Sequence, residues 1–161
     1  MRWCRHGCSG GGAALLAWSG FAAGCASAPV ARSQPPAPEC GRVVVEVVGA
    51  PEGGGPLRIG MSRAGGWLTR EGVEFGASPP SAPRVEVTFE GVPPGAWAVS
   101  VFHDRDADEV LTRGAFGLPS EAYGFSCLDP APLLPPSFQA AAFQVRPGAT
   151  CRERVVMRGG G

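Results

Sequence analysis

Arg84-Val85-Glu86-Val87-Thr88-Phe89-Glu90 alternates an apolar residue with a polar or charged one at every step. Side chains on a strand point to opposite faces in turn. The run therefore predicts a half-buried strand with Val85, Val87 and Phe89 inward and Arg84, Glu86, Thr88 and Glu90 in solvent. Val92-Pro93-Pro94-Gly95 turns the chain, and Ala96 to Phe102 resumes the period with Trp97, Val99 and Val101 on one face. The two runs read as a hairpin at the centre of the domain. Upstream, Arg42 to Val48 carries Val43, Val45 and Val47 on one face, and beyond the turn Pro51-Glu52-Gly53-Gly54-Gly55-Pro56 a second strand, Leu57 to Met61, returns. Downstream, Phe138 to Val145 sets Ala141, Phe143 and Val145 inward, and Arg152 to Met157 closes the chain. Gly65 to Pro83 has no regular period, although Trp67 and Leu68 are expected to cover the sandwich edge. No run repeats every 3.6 residues, and 25 Gly and 17 Pro argue against helices. Six or seven short strands predict an all-β, antiparallel-dominated sandwich of two stacked sheets.

The chain of 161 residues leaves room for one domain, residues 40–158, between a leader and a frayed tail at 159–161. Arg2 and Arg5 precede an apolar run, Ala13 to Ala23, too short to anchor in a bilayer, so residues 1–24 read as an export signal. Two cleavage sites compete. Ala22-Ala23-Gly24-Cys25 is similar to a lipobox, with Ala22 where Leu is commonest, and Ala26-Ser27-Ala28 would place Pro29 just after the cut. The first is favoured, which makes Cys25 the lipidated residue and the membrane a partner through that anchor. Residues 25–39, rich in Ala, Ser and Pro, read as a disordered tether. Losing Arg2 and Arg5 leaves 12 basic against 14 acidic residues, so nothing attracts nucleic acid. The expected location is the bacterial cell envelope, as an outer-membrane lipoprotein or a periplasmic or secreted protein. The sequence has no Lys and no Asn, which excludes Schiff-base lysine chemistry, Lys–Asn crosslinks and Asn-linked glycans.

Chemistry concentrates after the second central strand, in His103-Asp104-Arg105-Asp106-Ala107-Asp108-Glu109-Val110-Leu111. Asp104, Asp106 and Asp108 match positions one, three and five of a calcium loop, where a hard cation gathers oxygen ligands from a tight turn. Glu109 stands where that loop has Gly and Ala115 where it has a bidentate Glu, so a solvated acidic turn is the competing reading. His103, the one His of the domain, also allows a His-carboxylate metal site on paper. The aromatic set Trp97, Phe116, Tyr123 and Phe125 suits either a sugar-stacking platform, with Tyr123 and Phe125 as ligand-binding residues, or a plug of the sandwich end. Exposed coplanar rings mark the first arrangement and buried rings the second.

The run Val87 to Asp104, then Phe116-Gly117-Leu118-Pro119, Tyr123-Gly124-Phe125-Ser126 and Phe138-Gln139-Ala140-Ala141-Ala142-Phe143 in order, resembles an exported bacterial family, domain of unknown function 2141. The likeness spans about residues 41 to 158. Membership implies a Greek-key, transthyretin-like or carboxypeptidase-regulatory-like sandwich of seven strands, whose first and last strands run parallel as neighbours, and it implies no activity. Relatives usually carry an Asp-x-Asn-x-Asn-Gly type loop after the His. Asp106 and Asp108 replace the Asn positions here and Glu109 the Gly. Three cysteines remain in the domain, and the implied neighbourhood of first and last strands pairs Cys40 with Cys151 and leaves Cys127 over; Cys127 in the bridge, or three buried thiols, is the alternative. These readings make the chain a non-catalytic binding or structural module of the envelope, holding carbohydrate or an envelope protein, with calcium as the one candidate cofactor. A metal-dependent hydrolase is the rival from another class.

Overall fold

The computed structural model describes residues 39, 41–69, 73–76 and 79–159, so the leader, Cys25, most of the tether and Cys40 lie outside the described residues. Eight strands form there in two sheets. β1 (Gly41–Val48) is the centre of the smaller sheet, between β4 (Arg84–Val92) antiparallel and β8 (Thr150–Val156) parallel. The register sets Val45 opposite Val87 on one side and Glu153 on the other. The first and last strands are thus parallel neighbours, as the family resemblance implied. The larger sheet runs β3 (Val73–Phe75), β2 (Leu57–Ser62), β5 (Gly95–His103), β6 (Tyr123–Phe125), and β7 (Phe143–Val145) also pairs with β5. Every pairing within it is antiparallel. No helix among the described residues is long and apolar enough to cross a membrane.

The alternation foretells the interior. Val43, Val45, Val47, Leu57, Met61, Val99 and Val155 are wholly inaccessible, and Val87, Phe89, Trp97, Val101, Phe143 and Val145 close the same cluster between the sheets. Each such side chain contributes roughly 1.5–3 kcal/mol through the apolar surface it takes from water. At Gly124 the sheets come so close that a Cβ would lie 2.7 Å from a Val155 methyl and 3.0 Å from the Val156 carbonyl oxygen. Only glycine lets β6 pass β8 there.

The expected hairpins are not formed. β4 and β5 belong to different sheets, as do β1 and β2, so Val92–Gly95 and Pro51–Pro56 carry the chain across the sandwich instead of folding it back. Pro93 and Pro94 have no N–H to give a ladder, and two in succession release the strand from its neighbour. Phe138 to Val145 is likewise not one strand. Phe138–Ala141 winds into a helical turn, α1, and only Phe143–Val145 pairs, although Ala141, Phe143 and Val145 are all buried as expected. Gln139, Ala140 and Ala141 are good helix formers, and a turn of helix buries Ala141 as well as a strand would.

Candidate functional site

On β2 the residues that alternate with the core are Arg58, Gly60 and Ser62; on β5 they are Ala98, Ser100 and Phe102. They form the outer face of the larger sheet, and the long connection after β5 folds back across it. Ala131 and Ala141 settle on Ala98, Tyr123 and Phe125 to build a second apolar cluster, with Trp67, Leu111 and Phe138 at its margin. Trp67 meets Phe125 at 5.9 Å and Phe138 at 6.2 Å between ring centres, and its indole N–H donates to the Pro136 carbonyl at 2.8 Å. The Tyr123 hydroxyl donates to the Pro132 carbonyl at 2.8 Å, the partner that burial of a phenol demands.

The cover is incomplete. Gly60, Ser62 and Ser100 offer little side chain, and a groove of about 550 Å³ remains over them, walled by Leu68, Phe102, Leu111, Tyr123, Phe125 and Leu133. That volume falls within the roughly 300–1,000 Å³ of small-molecule sites. Leu68, Val110 and Leu133 line it while remaining 43%, 52% and 52% exposed, so an apolar rim faces water. Arg58, Glu109 and Arg113 are its charged lining.

Glu109, Val110 and Leu111 of the acidic run line this groove, and Asp106, Asp108 and Glu109 are exposed as a solvated turn has them, but the first aspartate is held differently. Asp104 is fully buried. Its Oδ2 accepts from Arg58 Nε at 2.8 Å and from the Glu109 N–H at 3.2 Å, and its Oδ1 accepts from the Asp108 N–H at 3.1 Å. Arg58 also reaches the Glu109 carboxylate at 3.2 Å. The hydrogen bond to Asp104 is the largest influence raising the Arg58 pKa above its ordinary value, partly opposed by burial. A second buried carboxylate, Glu121, accepts the Arg105 N–H at 2.8 Å and the Thr112 N–H at 2.9 Å, fastening both ends of the loop. Glu109 adopts φ +63°, the left-handed backbone that the missing Gly would have supplied. Gly55 makes the close packing possible, since a Cβ there would lie 2.1 Å from the Asp104 carbonyl oxygen.

Carboxylate oxygens of Asp104, Asp106 and Asp108 come within 4.8 Å of one another, with Asp106 and Asp108 exposed, so the three residues named from the sequence do converge on a space that suits a cation. The structure adds what sequence spacing could not show: a guanidinium already neutralises Asp104. His103 does not join the group. It is buried, and its Nε2 has no hydrogen-bond partner among the described residues.

The aromatic set does not form a platform. Trp97 is core, while Tyr123 and Phe125 are buried and meet at 61°. They line the groove from below. Phe116 stands 99% exposed at φ +62°, on a loop closed by the Gly114 N–H to the Leu118 carbonyl. A bulky residue in the left-handed region costs about 1–2 kcal/mol. Leu68, expected over the sandwich edge, is instead on the groove rim. Arg58, Glu121 and the groove floor escape sequence reading, as does Glu153 on β8, a carboxylic acid buried between the sheets with its pKa raised to about 7 by desolvation.

Strand order, the buried double-sheet interior and the groove define an all-β two-sheet domain with a concave apolar face beside a clamped acidic loop. The bacterial family described as "Uncharacterized protein conserved in bacteria (DUF2141)" matches residues 45–152, from β1 into β8, and the chain belongs to it. No curated protein and no solved structure matches.

Proposed function

We propose that this chain is an exported, non-catalytic binding module of the bacterial envelope that holds a small apolar or amphipathic ligand in the groove on its larger sheet. The groove carries the reading: a folded domain normally spends its leucines on its core, and here Leu68 and Leu133 stand half in water around an apolar hollow. In this reading the fold is a Greek-key, transthyretin-like sandwich, supported by the parallel first and last strands. Cys40 bridges Cys151. The parallel register supports that pair by setting the start of β1 beside the start of β8. Catalysis is not part of the proposal, since His103 is buried apart from the aspartate group.

The test is a neutral, environment-sensitive dye such as N-phenyl-1-naphthylamine. The wild type is expected to enhance and blue-shift its fluorescence saturably. Ser100→Phe, which fills the floor without entering the core, is expected to abolish the signal while leaving the melting temperature within a few degrees. Equal dye binding by both proteins would refute the groove.

Anchoring is proposed through a lipid on Cys25, with retention at the outer membrane and the tether spacing the domain from it. Cys25→Ser is expected to move the expressed protein from the membrane pellet to the soluble fraction. A variant that stays in the pellet, or a wild type without added acyl mass, rules the anchor out.

A further inference from the structure

We infer that the ligand of the groove is an anionic single-chain amphiphile, a long-chain carboxylate, whose head group pairs with Arg113. The inference rests on the groove being a binding site and adds the chemistry of its occupant. Three charged side chains line the hollow. Two of them answer each other, because Arg58 holds Glu109 at 3.2 Å and Asp104 at 2.8 Å. Glu109, the one carboxylate of the lining, therefore has a cation beside it, although Arg58 shares its single charge with Asp104. Arg113 is different. Its Nη1 donates to the Gly117 carbonyl at 3.1 Å, and it stands in none of the ion pairs found among the described residues. A guanidinium carries five N–H donors in a fork that fits a carboxylate, so most of its capacity is open to a ligand.

The rest of the lining fits a hydrocarbon chain. Phe102, Leu111 and Leu133 supply apolar walls, and the floor of Gly60 and Ser100 is too small to fill the hollow. A polar ligand would have to surrender its water to these walls without compensating hydrogen bonds, whereas an alkyl chain gains by leaving water. The same lining thus asks for an apolar body with one negative end. A cationic amphiphile would bring its charge to an unanswered guanidinium, and a neutral one would leave that guanidinium unused.

The experiment is calorimetric titration of the full chain with decanoate and with 1-decanol, for the wild type, Arg113→Gln and Ser100→Phe. Arg113 is exposed and outside both apolar clusters, so its replacement is expected to leave melting unchanged. The expected result is that decanoate binds the wild type, that Arg113→Gln weakens it about tenfold, as loss of a charge-assisted hydrogen bond should, and that decanol binding does not respond to this change. Ser100→Phe is expected to remove both. Equal affinity for acid and alcohol with no effect of Arg113→Gln would overturn the carboxylate and leave the groove standing. Binding of neither would overturn both.

Discussion

Asp104→Ala is expected to cost about 3–5 kcal/mol of folding stability and roughly 10–20 °C in melting temperature, the largest loss foreseen for any polar residue of this domain. The carboxylate is fully buried and its three bonded partners come from two directions: a guanidinium on β2, 46 residues upstream, and two backbone N–H groups of its own loop. Truncation strands all three. Arg58 falls back on Glu109 alone, and the turn that holds Glu109 in the left-handed region loses the acceptor at its centre. Asp104→Asn keeps one acceptor oxygen and turns the other into an NH2 group that faces N–H donors, so it is expected to recover only part of that loss. Combining Asp104→Ala with Arg58→Gln is expected to cost little more than Asp104→Ala, because both changes break one unit. Thermal melts of the four proteins provide the cycle, and strict additivity would show that the ion pair does not organise the loop. Repeating the melts with millimolar calcium separates an arginine-held loop from a metal-held one: the wild type keeps its melting temperature in the first case and gains several degrees in the second.

How much of this was legible follows from what each signal encodes. Alternation reports which way a side chain points, and the inward valines at 43, 45, 47, 87 and 99 are all buried. It does not report which sheet a strand joins. β4 and β5 look alike on either side of a short turn, and only the absence of two N–H groups at Pro93 and Pro94 hinted that the ladder was released there. The aspartates were visible as a run, but their cation was not, because Arg58 reads as one more solvent-facing residue of an ordinary strand. The groove was hidden for the same reason. Gly60, Ser62 and Ser100 have the small, polar character of exposed strand positions, and nothing local says that parts of the long connection after β5 will fold back over them. The sequence offers Tyr123 and Phe125 as ligand-binding residues, and they do border the hollow, but as its buried lining.

Glu153→Gln is expected to raise stability by about 3 kcal/mol at pH 8 and to change nothing near pH 4. Glu153 lies on β8 between Cys151 and Val155 in the inward alternation, opposite Val45 of β1, and only 4% of it is accessible. Desolvation raises its pKa from the ordinary 4.5 to about 7, and the hydrogen bond from Cys127, with sulfur 3.9 Å from Oε2, only partly offsets this. The folded state therefore keeps a proton that the unfolded chain gives up near pH 4.5. Below that pH both states hold it and the group has no effect. Between about 4.5 and 7 the unfolded chain ionises first, so stability falls as pH rises, and above 7 both states are charged and the loss is complete. Glutamine has the same shape and no charge to desolvate, so the difference between the two proteins must open across that window and stay constant beyond it. Denaturant unfolding at pH 4, 6 and 8 measures it, and parallel curves for the two proteins would show that the carboxyl is solvated. The thiol gives an independent check. Cys127→Ala removes a side-chain hydrogen bond that favours the carboxylate, which extends the window to higher pH and leaves its lower limit, set by the unfolded chain, in place.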